Sequence, residues 1–122
     1  MYHHRDSIHY AAKFNRLVYR GKPRLSTALC LLQGQDFVSA NFKSVKTPFI
    51  VCHGAADEIT DPHADVEMYN LSPAQRESRV CLYPGLRHFI TGMQEPEESQ
   101  NVFDDMFEWI NNRTEEVNQR EE

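Results

Sequence analysis

The sequence predicts an α/β protein with a parallel sheet and helices packed on it. Two continuous apolar runs and their spacing carry that prediction. Phe49 to Cys52 and Val80 to Tyr83 are short and rich in strand formers. Neither alternates with polar residues, and a strand buried on both faces of a parallel sheet reads this way. A stretch with helical punctuation separates them, so strand, helix and strand follow in the order of a right-handed crossover.

Each element has its own signals. Residues 1–24 are basic and weakly patterned, with Ala11, Ala12, Phe14, Leu17 and Val18 as a short helical stripe. Gly21, Lys22 and Pro23 break it. In 25–42, Leu25, Ala28, Leu29 and Leu32 follow i, i+3, i+4, i+7 spacing and predict a helix with these residues on one face. Phe37, Val38 and Phe42 continue its apolar character, and Gly34 weakens its middle. Thr47-Pro48 opens the first strand and His53-Gly54 ends it. Pro62 fits a helix start, and that helix runs to about Leu71 with Ala64, Met68 and Leu71 facing inward. Residues 72–78 form a polar connector, and Pro84-Gly85 ends the second strand. A last helix starts near Ser99, with Val102, Phe103, Met106, Phe107 and Ile110 as its stripe and Asp104, Asp105 and Glu108 outward. Residues 114–122 are a charged tail expected to fray. The organisation is thus an N-terminal segment over 1–24, an α/β portion over 25–113 and a tail over 114–122.

Composition excludes several classes. The 122 residues are 40% apolar, enough for one small domain with a core. A net charge of −5 with scattered Lys and Arg argues against nucleic acid as a partner. No run approaches a membrane span, and the polar, His-rich start has no secretory h-region. Cys30, Cys52 and Cys81 are odd in number and widely spaced, which argues against a disulfide framework or a zinc site. Each lies in an apolar run and reads as a buried free thiol, which favours a reducing, cytoplasmic setting. In that setting the sequons at Asn70 and Asn112 read as chance. No cofactor or metal site is expected. His3, His4 and His9 read as solvated side chains of the terminus. His53 and Asp57, four residues apart across a strand-to-loop junction, are not expected to share a face.

The chemistry gathers at two loops. Asp57 lies just past the first strand and His88 just past the second. Loops beyond the C-terminal ends of neighbouring parallel strands meet at one rim, where open α/β sheets carry their functional groups. A carboxylate beside an imidazole fixes its tautomer and steadies the imidazolium, which is the acid–base half of a Ser-His-Asp triad. The plainer alternatives are a turn or cap role for Asp57 and an ordinary loop histidine at 88. The acids Glu95, Glu97 and Glu98 read as a solvated loop ahead of a helix, and Phe103, Phe107 and Trp109 as core packing.

Several segments resemble one family in order and spacing. "TPFIVCHGAADEITDP" resembles the acid-strand signature of monoacylglycerol lipases, lysophospholipases and caffeoylshikimate esterases, serine hydrolases grouped with the serine-aminopeptidase-like, hydrolase-4 type domain. "RVCLYPGLRHFI", with Tyr83, Gly85 and His88, resembles their histidine loop, and "VFDDMFEWINNR" their closing helix. "LVYRGKPRLSTALCLL" resembles the return from the lid, with Asn15-Arg16 where the family often has Asp-Pro. The resemblance covers roughly 16–113. It implies the C-terminal portion of an α/β-hydrolase fold, with Asp57 as triad acid, His88 as general base and Asp61 as a structural acid.

The family's nucleophile elbow, Gly-x-Ser-x-Gly, does not occur in these residues: none of the five glycines brackets a serine. The expectation is therefore a partial serine hydrolase, lacking the N-terminal strands and elbow and inactive alone. Its complete relative would cleave a carboxylic ester, a monoacylglycerol or lysophospholipid, with lipid or small ester as substrate only in the complete protein. A peripheral membrane location stays open beside the cytoplasmic one. So do two other readings: a non-catalytic interaction module or pseudoenzyme that self-associates through its exposed sheet edge, and complementation by a separate serine-bearing chain.

Overall fold

A computed structural model describes residues 13–15, 17, 19, 21–92 and 95–121. His3, His4, His9, Ala11, Ala12 and Val18 lie outside them. The chain divides into two compact units, residues 1–41 and 42–122.

In the first unit, helix α1 spans Leu25–Ala40 and runs unbroken through Gly34. It ends where Asn41 Nδ2 donates to the Phe37 carbonyl, 2.7 Å away. The helix forms as expected, but its apolar face is not covered: none of its residues is buried, and Leu25, Leu29, Leu31 and Leu32 are all exposed. Cys30, expected buried, is exposed too, and all three cysteines are free thiols. Phe42 does not continue this helix. It opens a 3-10 turn, Phe42–Ser44, and is buried in the second unit.

The second unit contains the sheet. Strand β1 (Ile50–Gly54) and strand β2 (Arg79–Tyr83) pair in parallel, with Ile50 opposite Arg79 and Gly54 opposite Tyr83. The crossover carries helix α2 (Pro62–Leu71) and a 3-10 turn, Gln75–Glu77. Asp61 caps α2 by accepting from the His63 N–H, and Pro62 occupies the first turn, where its missing N–H costs nothing. Ser72 is more than a polar connector residue. It is buried, donates to the Val45 carbonyl at 2.7 Å and accepts from the Ala74 N–H. Ser78 continues this clasp by donating to the Ala74 carbonyl and accepting from the Phe49 N–H.

Helix α3 covers Pro96–Glu121, starting before Ser99 and continuing through the charged residues expected to fray. Two expected helix faces are rotated. On α2 the sheltered residues include Asp65, Val66, Met68 and Tyr69, while Ala64 and Leu71 are exposed. On α3 Val102 is fully buried, but Phe107 and Ile110 are exposed, and Asp105 and Trp109 turn inward. Polar bonding explains the turn of α3. Asp105 accepts from the Tyr83 hydroxyl at 2.7 Å and from Arg79 at 3.0 Å, and Glu108 accepts from Arg79 at 2.6 Å. Burial raises the pKa of the Tyr83 phenol, and its bond to Asp105 raises it further.

Candidate active site

Asp57 and His88 meet at the rim beyond the strand ends. His88 Nδ1 lies 2.9 Å from Asp57 Oδ2. Backbone bonds bring them there. Past β1, the Ala55 N–H donates to the Tyr83 carbonyl, and the Ala56 N–H to the Leu86 carbonyl, each at 2.9 Å. The acid loop is thereby laced to the base loop. Gly54 is required at the crossing, because a Cβ there would lie 2.3 Å from the Leu86 carbonyl oxygen and 2.5 Å from that of Arg87. Gly85, at φ +83°, supplies the left-handed turn that starts the base loop. Leu86 is buried and anchors it.

The two oxygens of Asp57 have separate tasks. Oδ1 accepts from the backbone N–H groups of Ile59 at 2.7 Å and Thr60 at 3.2 Å, closing the loop as a side-chain turn. Oδ2 faces the Thr60 hydroxyl at 2.6 Å, His88 Nδ1 at 2.9 Å and His53 Nε2 at 2.9 Å. The turn role and the paired role thus coexist in one carboxyl group. Its side chain is only 2% exposed. Burial opposes its ionisation, yet the bonds from Thr60, His88 and the loop N–H groups outweigh this and hold the carboxyl well below the ordinary range.

An ionised carboxylate only accepts, so Nδ1 of His88 carries the proton of the neutral ring. Its lone pair then sits on Nε2, the atom a general base uses. The His88 side chain remains 37% exposed and can reach a reactant. The Phe89 ring meets it edge-on, with centroids 5.2 Å apart.

His53 corrects the expectation drawn from spacing. It reaches Asp57 because the chain turns back directly after Gly54, where the Asp57 N–H donates to the Gly54 carbonyl at 3.0 Å. The face-alternation rule holds along a strand and fails across that turn. The other His53 nitrogen, Nδ1, meets the Asp65 carboxylate of α2. Burial works against charge on His53, but Asp65 and Asp57 prevail and raise its pKa. Thr60 and Asp65 carried no separate sequence signal. The His-Gly pair followed by Asp57 was the readable trace of His53.

Asp61 stands apart from Asp57, capping α2 and accepting from His63 Nδ1 at 2.8 Å. The backbone N–H of His63, then its side chain, lower the Asp61 pKa. Cys52 is no substitute nucleophile: burial pushes its thiol up, the reverse of an activated thiolate. The Thr60 hydroxyl lies on the Nδ1 side of His88, at 3.4 Å, away from the atom that would activate a nucleophile. Among the described residues, no group of three or more His, Cys, Asp and Glu side chains has the geometry to hold a metal ion, and no helix is long and apolar enough to cross a membrane. The cavity beside the pair, bordered by Gly54, Thr60 and Ile90, measures about 150 Å³. That is below the roughly 300–1,000 Å³ of ligand pockets.

Comparison with known proteins gives the geometry a context. The family model for serine aminopeptidase S33 matches residues 2–97. The caffeoylshikimate esterase of Arabidopsis thaliana is 32% identical over 95 residues, 78% of this chain and 28% of that protein. The monoglyceride lipase of Saccharomyces cerevisiae is 32% identical over 79 residues, 65% of this chain and 25% of that protein. A crystal structure of a soluble variant of that lipase with a substrate analogue superposes with a TM-score of 0.51 at 31% identity. It covers 55% of this chain and 22% of the lipase chain. The chain thus spans about a quarter of the length of these relatives, and its two parallel strands with helices match part of the α/β-hydrolase fold.

Proposed function

The chain belongs to the serine aminopeptidase S33 family, and from that premise we propose that it supplies the acid and base of a carboxylic ester hydrolase, Asp57 and His88. The 2.9 Å contact between Asp57 Oδ2 and His88 Nδ1 carries this reading. Asp57 orients His88 and stabilises its imidazolium. His88 Nε2 takes a proton from a serine hydroxyl outside these 122 residues and returns it to the leaving alcohol. The substrate is a monoacylglycerol or lysophospholipid, the class that the resemblance suggested and that agrees with the lipase relative. The small cavity and the uncovered apolar sides of α1 favour a larger setting, because a helix apolar on several sides is one that a larger protein buries. A cytoplasmic setting rests on the three free thiols.

The test is reconstitution. Alone, the chain should give no labelling by a serine-directed fluorophosphonate and no ester turnover above background. Mixed with the serine-bearing part of a relative, it should restore both, with the label on the other chain. Labelling of this chain by itself would overturn the reading.

A second reading rests on the sheet. Among the described residues each strand has one partner, so each leaves one edge unpaired. Such edges accept another strand, and the reading is self-association of two copies. Concentration-independent monomeric sedimentation would dismiss it.

A further inference from the structure

We propose that His53 is a positioning residue for the acid–base pair: it clamps Asp57 through Nε2 and is itself braced by Asp65 through Nδ1. The proposal deepens the active-site reading and rests on it. Three donors converge on Asp57 Oδ2, two of them imidazoles from different strand ends. His88 comes from the exposed side, while His53 is rooted in β1, with a side chain only 14% exposed. The inner imidazole therefore fixes where the carboxylate sits, and the outer one is free to do chemistry.

Hydrogen-bond arithmetic strengthens the assignment. A neutral imidazole has one N–H, yet both His53 nitrogens face carboxylate oxygens. Both contacts are favourable only when both nitrogens donate, which makes the ring an imidazolium between two anions. The groups facing it are Asp65 from α2, Asp57 and the Thr60 hydroxyl from the acid loop, and His88 across the shared oxygen. Asp61, at the head of α2, interacts with it through charge alone. Anions outnumber cations in this set, consistent with the raised His53 pKa.

Substitutions separate clamping from plain packing. His53→Gln keeps a donor at the Nε2 position and loses the Asp65 contact, whereas His53→Ala loses both. The readout is water exchange of the His88 Nδ1 proton in the 122-residue chain, measured by NMR. A lost charge-assisted hydrogen bond predicts exchange about tenfold faster in His53→Ala, and within about twofold of the parent in His53→Gln. Asp65→Asn lowers the titration midpoint of His53 and, should His53→Ala fail to fold, shows an intermediate exchange rate. Unchanged exchange in His53→Ala, or equally fast exchange in His53→Gln, would overturn the clamp while leaving the pair intact. Absence of a protected His88 Nδ1 proton in the parent chain would overturn the pair itself, and the clamp with it.

Discussion

Asp57 and Asp105, both in the second unit, accept hydrogen bonds from side chains, and they differ in what their donors can do. Asp105 on α3 receives the Tyr83 phenol and the Arg79 guanidinium, neither of which changes charge near neutral pH. That cluster can only hold α3 against β2. Asp57 faces two imidazoles, whose ordinary titration lies near neutrality. The carboxylate is the same, and the partner decides between a fastening and a place where protons move. Exposure follows the same division: the Asp105 side chain is 29% exposed and that of Asp57 2%.

Substitutions should break this contrast in graded fashion. The largest effect belongs to Asp57→Asn in the reconstituted enzyme. The amide keeps the shape but favours the wrong His88 tautomer, and kcat should fall by about 10⁴ in steady-state ester hydrolysis. Next comes Gly54→Ala, which drives a Cβ into the carbonyls of Leu86 and Arg87. Overpacking of this kind costs about 1–3 kcal/mol in urea denaturation, and the His88 ring resonances should move with it. Tyr83→Phe should cost about 1–2 kcal/mol through the lost bond to Asp105, and those resonances should stay in place. If Tyr83→Phe disturbs His88 as much as Gly54→Ala does, the two clusters are one network and the contrast fails.

The pH dependence of stability sharpens the same point. Because the folded pKa of His53 is raised, its contribution is complete below its ordinary value of 6.5 and is lost as pH rises through the folded value. Asp57 has the opposite sign. Its contribution is present above 3.8 and is lost as pH falls from there toward its much lower folded value. Urea midpoints measured upward from pH 6.5 should therefore decline in the parent chain and flatten in Asp65→Asn. The smallest effect is expected at Glu77→Gln. Glu77 is exposed in its pair with the half-buried Arg113, and the loss should be no more than about 1 kcal/mol of stability in urea denaturation.

Both strands and the meeting of their two loops were legible in the sequence, because a continuous apolar run followed by a polar loop is a local signal. Parallel pairing then carries Asp57 and His88 to one rim. Helix faces were less legible. Periodicity counts apolar side chains and has no means of seeing that Asp105 turns inward to meet Tyr83 and Arg79, which rotates Phe107 and Ile110 outward. His53 escaped for a related reason. The rule that separates neighbouring faces presumes a straight strand, whereas the chain turns back directly after Gly54 and returns Asp57 to its own strand end. On α1 the periodicity predicted the helix, yet none of its residues is buried, so helix formation and burial parted company.

The central claim is that the Asp57 carboxylate sets the proton of His88 on Nδ1 and leaves Nε2 as the base. Long-range 1H–15N NMR of the chain, recorded on the neutral His88 ring, reads the tautomer directly. The account predicts the Nδ1–H form in the parent chain and a shift toward Nε2–H in Asp57→Asn. An Nε2–H tautomer in the parent, or one indifferent to the loss of the carboxylate, would contradict it.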